Sequence, residues 1–203
     1  MEQSEMNLAM EKPLLILASQ SPRRKEILSL MRHTFEIIPV DTPENLNARL
    51  TVEENVALIA LEKAKAAEPY RTKKDAIIIG ADTVVAHENR ILGKPSSFDE
   101  AWAMLAKLQN ATHKVHTGFA LLSELKQHTE CVTTTVTIAP MSSREITYYI
   151  TEMKPFDKAG AYGIQDPLMA CYIQRIEGCY YNVAGLPLSR VHSVLHSHFF
   201  AEK

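Results

Sequence analysis

The chain is poor in every feature that would announce a special class of protein. Cysteine is scarce: Cys131, Cys171 and Cys179 are the three in 203 residues, and no CxxC pair occurs. That set is too small and scattered for a disulfide framework or a thiolate zinc site, and it fits a reducing compartment. Charge excess is missing as well, since 22 basic residues against 24 acidic ones leave a net charge of -2, with a pI near 6.4. A duplex-binding surface needs a basic excess, so polymeric nucleic acid is not an expected partner, and any anion must be met by a few local cations. Glycine-rich phosphate loops are absent: there is no Walker A motif and no GxGxxG, which removes support for a P-loop or Rossmann assignment.

Membrane and export signals are lacking too. The run Leu14 to Ala18 is far too short to cross a bilayer. The opening stretch, MEQSEMNLAMEKP, has no basic segment leading into an apolar run, so it does not read as a signal peptide. The expectation is therefore a cytoplasmic protein with no membrane partner. Residues 1–12 read as a flexible N-terminal extension, followed by a single domain over 13–203, with no linker, repeat or low-complexity segment. An apolar content of 46% suffices for one substantial core.

What is present alternates strand and helix signals. Leu14 to Ala18 reads as a buried strand, followed at once by the polar loop Ser19 to Arg24. In that loop Ser21 and Pro22 suit an N-cap and first helical position, and Ile27, Leu28 and Met31 continue at helical spacing. A strand is expected at Phe35 to Ile38, then a turn at Asp41 to Glu44. Thr51 to Glu54 is a capping box for a helix that places Val56, Ile59, Ala60 and Lys63 on one face.

Ala76 to Asp82 reads as a buried strand ending in an acid, with Thr83 to Val85 able to continue it into a hairpin leading to Leu92. Ser97 to Glu100 looks like a second capping box. Two longer strands are expected at Val115 to Leu122 and Cys131 to Ile138. A helix from Ser142 to about Thr151, a loop over Phe156 to Asp166, a strand over Cys171 to Ile176 and a closing helix near Ser189 to Phe200 follow. This order predicts an α/β fold with a mixed central β-sheet and flanking helices.

Certain residues in this frame carry chemistry. A loop joining a buried strand to a helix N-terminus offers free backbone N–H groups and the positive end of a helix dipole, which favour an anion. Arg23 and Arg24 add forked donors that match phosphate oxygens. On local spacing alone, a capped surface helix with two solvated arginines is the plainer reading. Asp82 closes a very apolar run, and a carboxylate there can hold a divalent ion and deprotonate a water. A turn-capping aspartate accounts for the same pattern.

Lys94, Lys63 and Lys65 could each neutralise phosphate, although most lysines are ordinary surface cations. Gln165 could read a base edge through its paired donor and acceptor. His192 and His196 lie one helical turn apart, but no acid follows His192 as in HExxH, so a polar helix face is the better reading. Tyr148, Tyr149, Tyr180 and Tyr181 suit the edge of a core better than a base-stacking platform.

These residues together resemble a known family, the Maf proteins, also called septum-formation inhibitor Maf or Maf-like nucleotide pyrophosphatases. The segment from Leu17 to Leu28, LASQSPRRKEIL, is similar to the family signature. Gly80 to Val85, Leu92 to Pro95, His116 to Gly118, Asp157 to Gln165 and Asn182 to Leu188 follow in the family's order.

The resemblance implies a fold like that of the inosine triphosphate pyrophosphatases, two lobes around a cleft and a homodimer. It also implies hydrolysis between the α and β phosphates of a nucleoside triphosphate with a divalent metal, Mg²⁺ or Mn²⁺. By that resemblance Asp82 is the proton acceptor, and Arg24, Thr83 and Gln165 are tied to substrate choice. Ser19, Arg23, Lys63, Lys94, Glu44 and Lys65 match the lining of the phosphate and metal site, with Glu44 and Asp82 as metal ligands.

The stretch over 157–165 resembles the branch acting on dTTP and UTP. Lys154 and Asp166 depart from that branch, where glutamate and glycine are usual. Modified pyrimidine triphosphates remain an alternative substrate. A non-catalytic nucleotide-binding regulator of cell division, suggested by the older family name, is the alternative of a different class.

Overall fold

The apolar runs assemble into one mixed sheet in the computed structural model, which describes residues 13–88 and 90–200. The expected N-terminal extension over 1–12 lies outside the described residues. Seven strands form the sheet: β1 (Leu15–Ala18), β2 (Phe35–Ile38), β3 (Ile77–His87), β4 (Arg90–Leu92), β5 (Ala111–Leu122), β6 (Gln127–Ile138) and β7 (Ile173–Glu177). Their spatial order is β2-β1-β3-β5-β6-β7, with β4 paired to β3 off this path. The pairs β2–β1 and β1–β3 are parallel and the rest antiparallel, as a mixed sheet requires.

Strand periodicity sends alternate residues to opposite layers. On β3, Ile77, Ile79, Ala81 and Val85 join the larger core, which also takes up the helices α3 (Phe98–Leu108), α4 (Ser143–Met153) and α6 (Leu188–Val194). Ile78 faces the other way, into a smaller core with Ala60, Leu61 and Ala64 of α2 (Val52–Ala67). The helix α1 (Pro22–Ser29) follows β1 directly, with Ser21 as N-cap and Pro22 at its first turn.

Several sequence expectations need correction. The long strands begin earlier than expected, at Ala111 and Gln127, because polar Thr112, Lys114 and Thr129 occupy the solvent side of paired strands. Thr51 and Glu54 form the expected reciprocal box. At Ser97 only half of one forms, since Glu100 turns its carboxylate to the N–H and hydroxyl of Ser96.

Cys171 sits in a 3₁₀ turn ahead of β7, not in the strand. A short helix, α5 (Tyr180–Ala184), was not expected; it has no side-chain cap and closes on Gly185. Tyr149 is no core-edge residue: it is 1% exposed, and its hydroxyl donates to Asp166 at 2.6 Å.

Candidate active site

The site is built where the sheet is interrupted. One edge of β3 is paired with β5 from Ile78 to Ala86. The other edge is divided: β1 takes Ile77 to Gly80 and β4 takes Val85 to His87. Ala81, Asp82, Thr83 and Val84 therefore have no strand partner on that side among the described residues. The notch is reached from both layers, and because side chains alternate, Asp82 and Thr83 reach it from opposite faces.

On the Asp82 face, the helix α2 lies unusually close to the strands. A Cβ at Gly80 would stand 2.1 Å from the Ala60 carbonyl oxygen, and one at Gly118 would stand 2.2 Å from that of Val56. Only glycine fits at these two points. The close approach carries Lys63 over the strand, where its Nζ donates to Asp82 Oδ1 and to Glu44 Oε1, each at 2.7 Å. Lys94 Nζ reaches the same Glu44 oxygen at 3.4 Å. Burial alone would raise the Glu44 carboxyl, but its bonds and attraction to Lys63 and Lys94 outweigh this and hold it below the ordinary value.

On the Thr83 face, Arg24 is held by neutral acceptors. Its Nε donates to the Gly185 carbonyl at 2.9 Å, Nη1 to Ser19 Oγ at 3.5 Å and Nη2 to Thr83 Oγ1 at 3.2 Å. Thr83 Oγ1 lies 3.0 Å from Thr117 Oγ1, which donates to the Asn182 carbonyl at 2.8 Å. The guanidinium pKa is lowered by burial, an effect countered by the attraction of Asp82.

The segment after α4 forms the remaining wall. It turns through left-handed backbone at Lys154, Gly160 and Ala161, in a run of 3₁₀ turns. Arg23 Nη1 donates to Asp157 Oδ2 at 2.5 Å, and Lys158 Nζ lies 3.0 Å from the other Asp157 oxygen. Tyr149 Oη accepts from the Gly163 N–H at 3.1 Å while donating to Asp166, which ties this segment to α4. Tyr162 Oη pairs with His113 Nε2 at 2.7 Å. Burial, with a smaller contribution from His87, pushes His113 down to about 4.

All the expected site residues converge except one. Ser19, Arg23, Arg24, Glu44 and Lys63 line a single cavity of about 360 Å³ with Asp82, Thr83, Lys94 and Gln165. Lys65 is exposed on α2 and is not part of that lining. Sequence reasoning missed Thr117, Asn182 and Tyr162 as parts of the site; the only signal for them was that the segments over 116–118, 157–165 and 182–188 belong to the family pattern.

No group of three or more His, Cys, Asp or Glu side chains able to hold a metal occurs among the described residues. Asp82 and Glu44 nevertheless converge on one cation, the Lys63 ammonium. Two carboxylates completed by phosphate oxygens are a donor set that Mg²⁺ or Mn²⁺ accepts.

Fold and cavity together define an α/β protein that sets a buried carboxylate among five basic side chains, Arg23, Arg24, Lys63, Lys94 and Lys158, in a space suited to a polyphosphate. The chain belongs to the Maf family: the family model described as Maf-like protein matches residues 14–198. It is 62% identical over 184 residues to the dTTP/UTP pyrophosphatase of Pelodictyon phaeoclathratiforme, covering 90% of this chain and 96% of that one. The dTTP/UTP pyrophosphatase of Chlorobium chlorochromatii is 58% identical, covering 87% and 91%. That of Bacillus cereus is 45% identical over the same shares, 87% and 91%.

Proposed function

We propose that this protein hydrolyses nucleoside triphosphates, dTTP and UTP foremost, to the monophosphate and pyrophosphate, with Asp82 as the proton acceptor. The observation that carries this reading is the placement of Asp82 in the notch, 4% exposed and beside a cavity ringed by Lys63, Lys94, Arg23 and Arg24. The names of the relatives support the choice of pyrimidine nucleotides.

Lys63 holds Asp82 Oδ1 and thereby fixes the carboxylate plane, leaving Oδ2 to take the proton of an attacking water. Arg24 uses three N–H donors on protein acceptors and keeps two for phosphate oxygens. Arg23 and Lys94 add charge on the outer side, where the departing pyrophosphate needs it. Gln165, exposed at the cavity rim, presents an amide to the base. A divalent cation held by Asp82 and Glu44 would neutralise phosphate charge when bound.

Two further expectations stand with this reading. The family resemblance supports a homodimer, which light scattering coupled to gel filtration tests. Three free thiols support a reducing, cytoplasmic setting, and no helix among the described residues is long and apolar enough to cross a membrane.

The decisive assay is pyrophosphate release from dTTP, UTP, CTP, 7-methyl-GTP and ITP with Mg²⁺ or Mn²⁺. Fast release from dTTP and UTP is expected. Equal rates on all five would remove the pyrimidine assignment, and binding without release from any would favour the regulator.

A further inference from the structure

The hydroxyl pair Thr83 and Thr117 has a proton order that the geometry fixes. Thr117 Oγ1 lies 2.8 Å from the backbone carbonyl of Asn182, which can only accept, so the single Thr117 proton goes there. The 3.0 Å contact between the two hydroxyls must then be a donation from Thr83 to Thr117. With its own proton committed, Thr83 Oγ1 can only accept, and it does so from Arg24 Nη2 at 3.2 Å.

Protons therefore point one way along a chain from Arg24 through Thr83 and Thr117 to Asn182. The far end is anchored: Asn182 is fully buried, and its Nδ2 donates to the Val115 carbonyl and to Thr134 Oγ1, each at 3.0 Å. The same short helix, α5, ends at Gly185, whose carbonyl holds Arg24 Nε at 2.9 Å. Both contacts that orient the Arg24 guanidinium on this side thus trace back to one element.

We infer that Thr117, fully buried on β5, is a positioning residue for the reaction: it sets the polarity of the relay that presents Arg24 to the substrate phosphates. Without the Thr117 acceptor, the Thr83 proton has no committed partner, and the hydroxyl is free to turn it toward the cleft and away from its role as acceptor for Arg24. The inference rests on the pyrophosphatase reading of the cleft.

The test is a double-mutant cycle on steady-state and single-turnover pyrophosphate release from dTTP, with thermal melts to confirm folding. Thr117→Val is nearly isosteric and removes the hydroxyl; it is expected to lower kcat/KM about tenfold. Thr117→Ser, which keeps the hydroxyl, is expected to recover most of that loss. In an Arg24→Ala background, Thr117→Val should cost less than about twofold more, because the residue it acts through is gone.

A loss of the same size with and without Arg24, or equal losses for Val and Ser, would overturn the assignment. If Thr117→Val does not fold, Thr83→Val interrupts the same relay one hydroxyl earlier. It must then show the same non-additivity with Arg24→Ala, and an additive result overturns the inference. Absence of pyrophosphate release by the unaltered enzyme would instead overturn the function. An active enzyme with an additive cycle would overturn only the relay.

Discussion

Arg23 and Arg24 are neighbours in the chain and are held by opposite means. Arg23 is paired with a carboxylate, Asp157, at a contact where the two side chains are 26% and 57% exposed. Arg24 is half-buried, and all its hydrogen-bond partners are neutral: a serine hydroxyl, a threonine hydroxyl and a backbone carbonyl. The same contrast divides the notch, with Asp82, Lys63 and Glu44 bonded ionically on one face of β3 and Thr83, Thr117 and Asn182 joined by neutral hydrogen bonds on the other.

The difference teaches what each face is for. An ion pair neutralises a charge that a phosphate must later compete for, whereas neutral acceptors orient a guanidinium and leave its charge available. On the proposed function, the ionic face holds the proton acceptor, and the neutral face holds a cation ready for phosphate.

The largest expected effect comes from removing the charge at the centre of the ionic face. Asp82→Asn should lower kcat by about 10²–10⁴-fold while the protein still folds and binds nucleotide, as measured by pyrophosphate release and calorimetric titration. Near-normal turnover would end its role as base. The second effect sharpens the contrast between the arginines. Lysine keeps the charge but lacks the fork, so Arg24→Lys should cost about 100-fold in kcat/KM and Arg23→Lys about tenfold or less. Equal losses would mean that the neutral cage around Arg24 confers nothing.

How much of this could be read from the sequence depended on how local each feature is. The strands at Leu15, Ile77 and Phe119, the capping box at Thr51 and the hairpin after Asp82 follow from short-range pattern and were legible. The convergence of the loop over 19–24 with Asp82 was legible only through the family pattern, because nothing in either segment encodes their distance. The notch was not legible, since it arises from two strands sharing one edge of β3. Gly80 and Gly118 looked like parts of motifs, and their reason, the backbone of α2 lying within contact, appears only in three dimensions. Thr117 reads as an ordinary strand threonine until the direction of its proton is traced.

The neutral face should also respond to acid. His113, which supports Tyr162 in the cavity wall, is pushed from 6.5 down to about 4 by burial first and by His87 second. The unfolded chain therefore binds a proton at higher pH than the fold does. The resulting stability is complete above about pH 6.5 and is lost as pH falls toward 4, about 3 kcal/mol in all. His116, also lowered chiefly by burial, adds to the same slope. Urea unfolding of the parent and of His113→Gln between pH 7 and 5 should show a flatter slope in the variant. Parallel slopes would mean that His113 is solvated.

Next in size is the tie between α4 and the loop. Tyr149→Phe leaves Asp166 and the Gly163 N–H without the hydroxyl each of them uses. Its expected cost is about 1–3 kcal/mol in urea unfolding. A change below 0.5 kcal/mol, a threshold set by ordinary surface substitutions, would show the tie to be incidental.

The smallest expected effect belongs to the pair that opened the contrast. Asp157 is more than half exposed, and its carboxyl, though raised by its partial burial, is held below the ordinary value by Arg23 and Lys158. Exposed pairs are screened by water and salt, so Asp157→Asn should change stability by less than about 0.5 kcal/mol, or under about 2 °C in melting temperature. At about 1 M salt, where screening acts within roughly 3 Å, the difference from the parent should vanish. The variant also frees Arg23 from a competing anion, so what it does to dTTP affinity reads the ionic arm without touching the Thr117 relay. A loss of 2 kcal/mol or more, a value far outside the usual range for exposed pairs, would make Asp157 part of the architecture and would place Arg23 with Arg24 as a fixed cation.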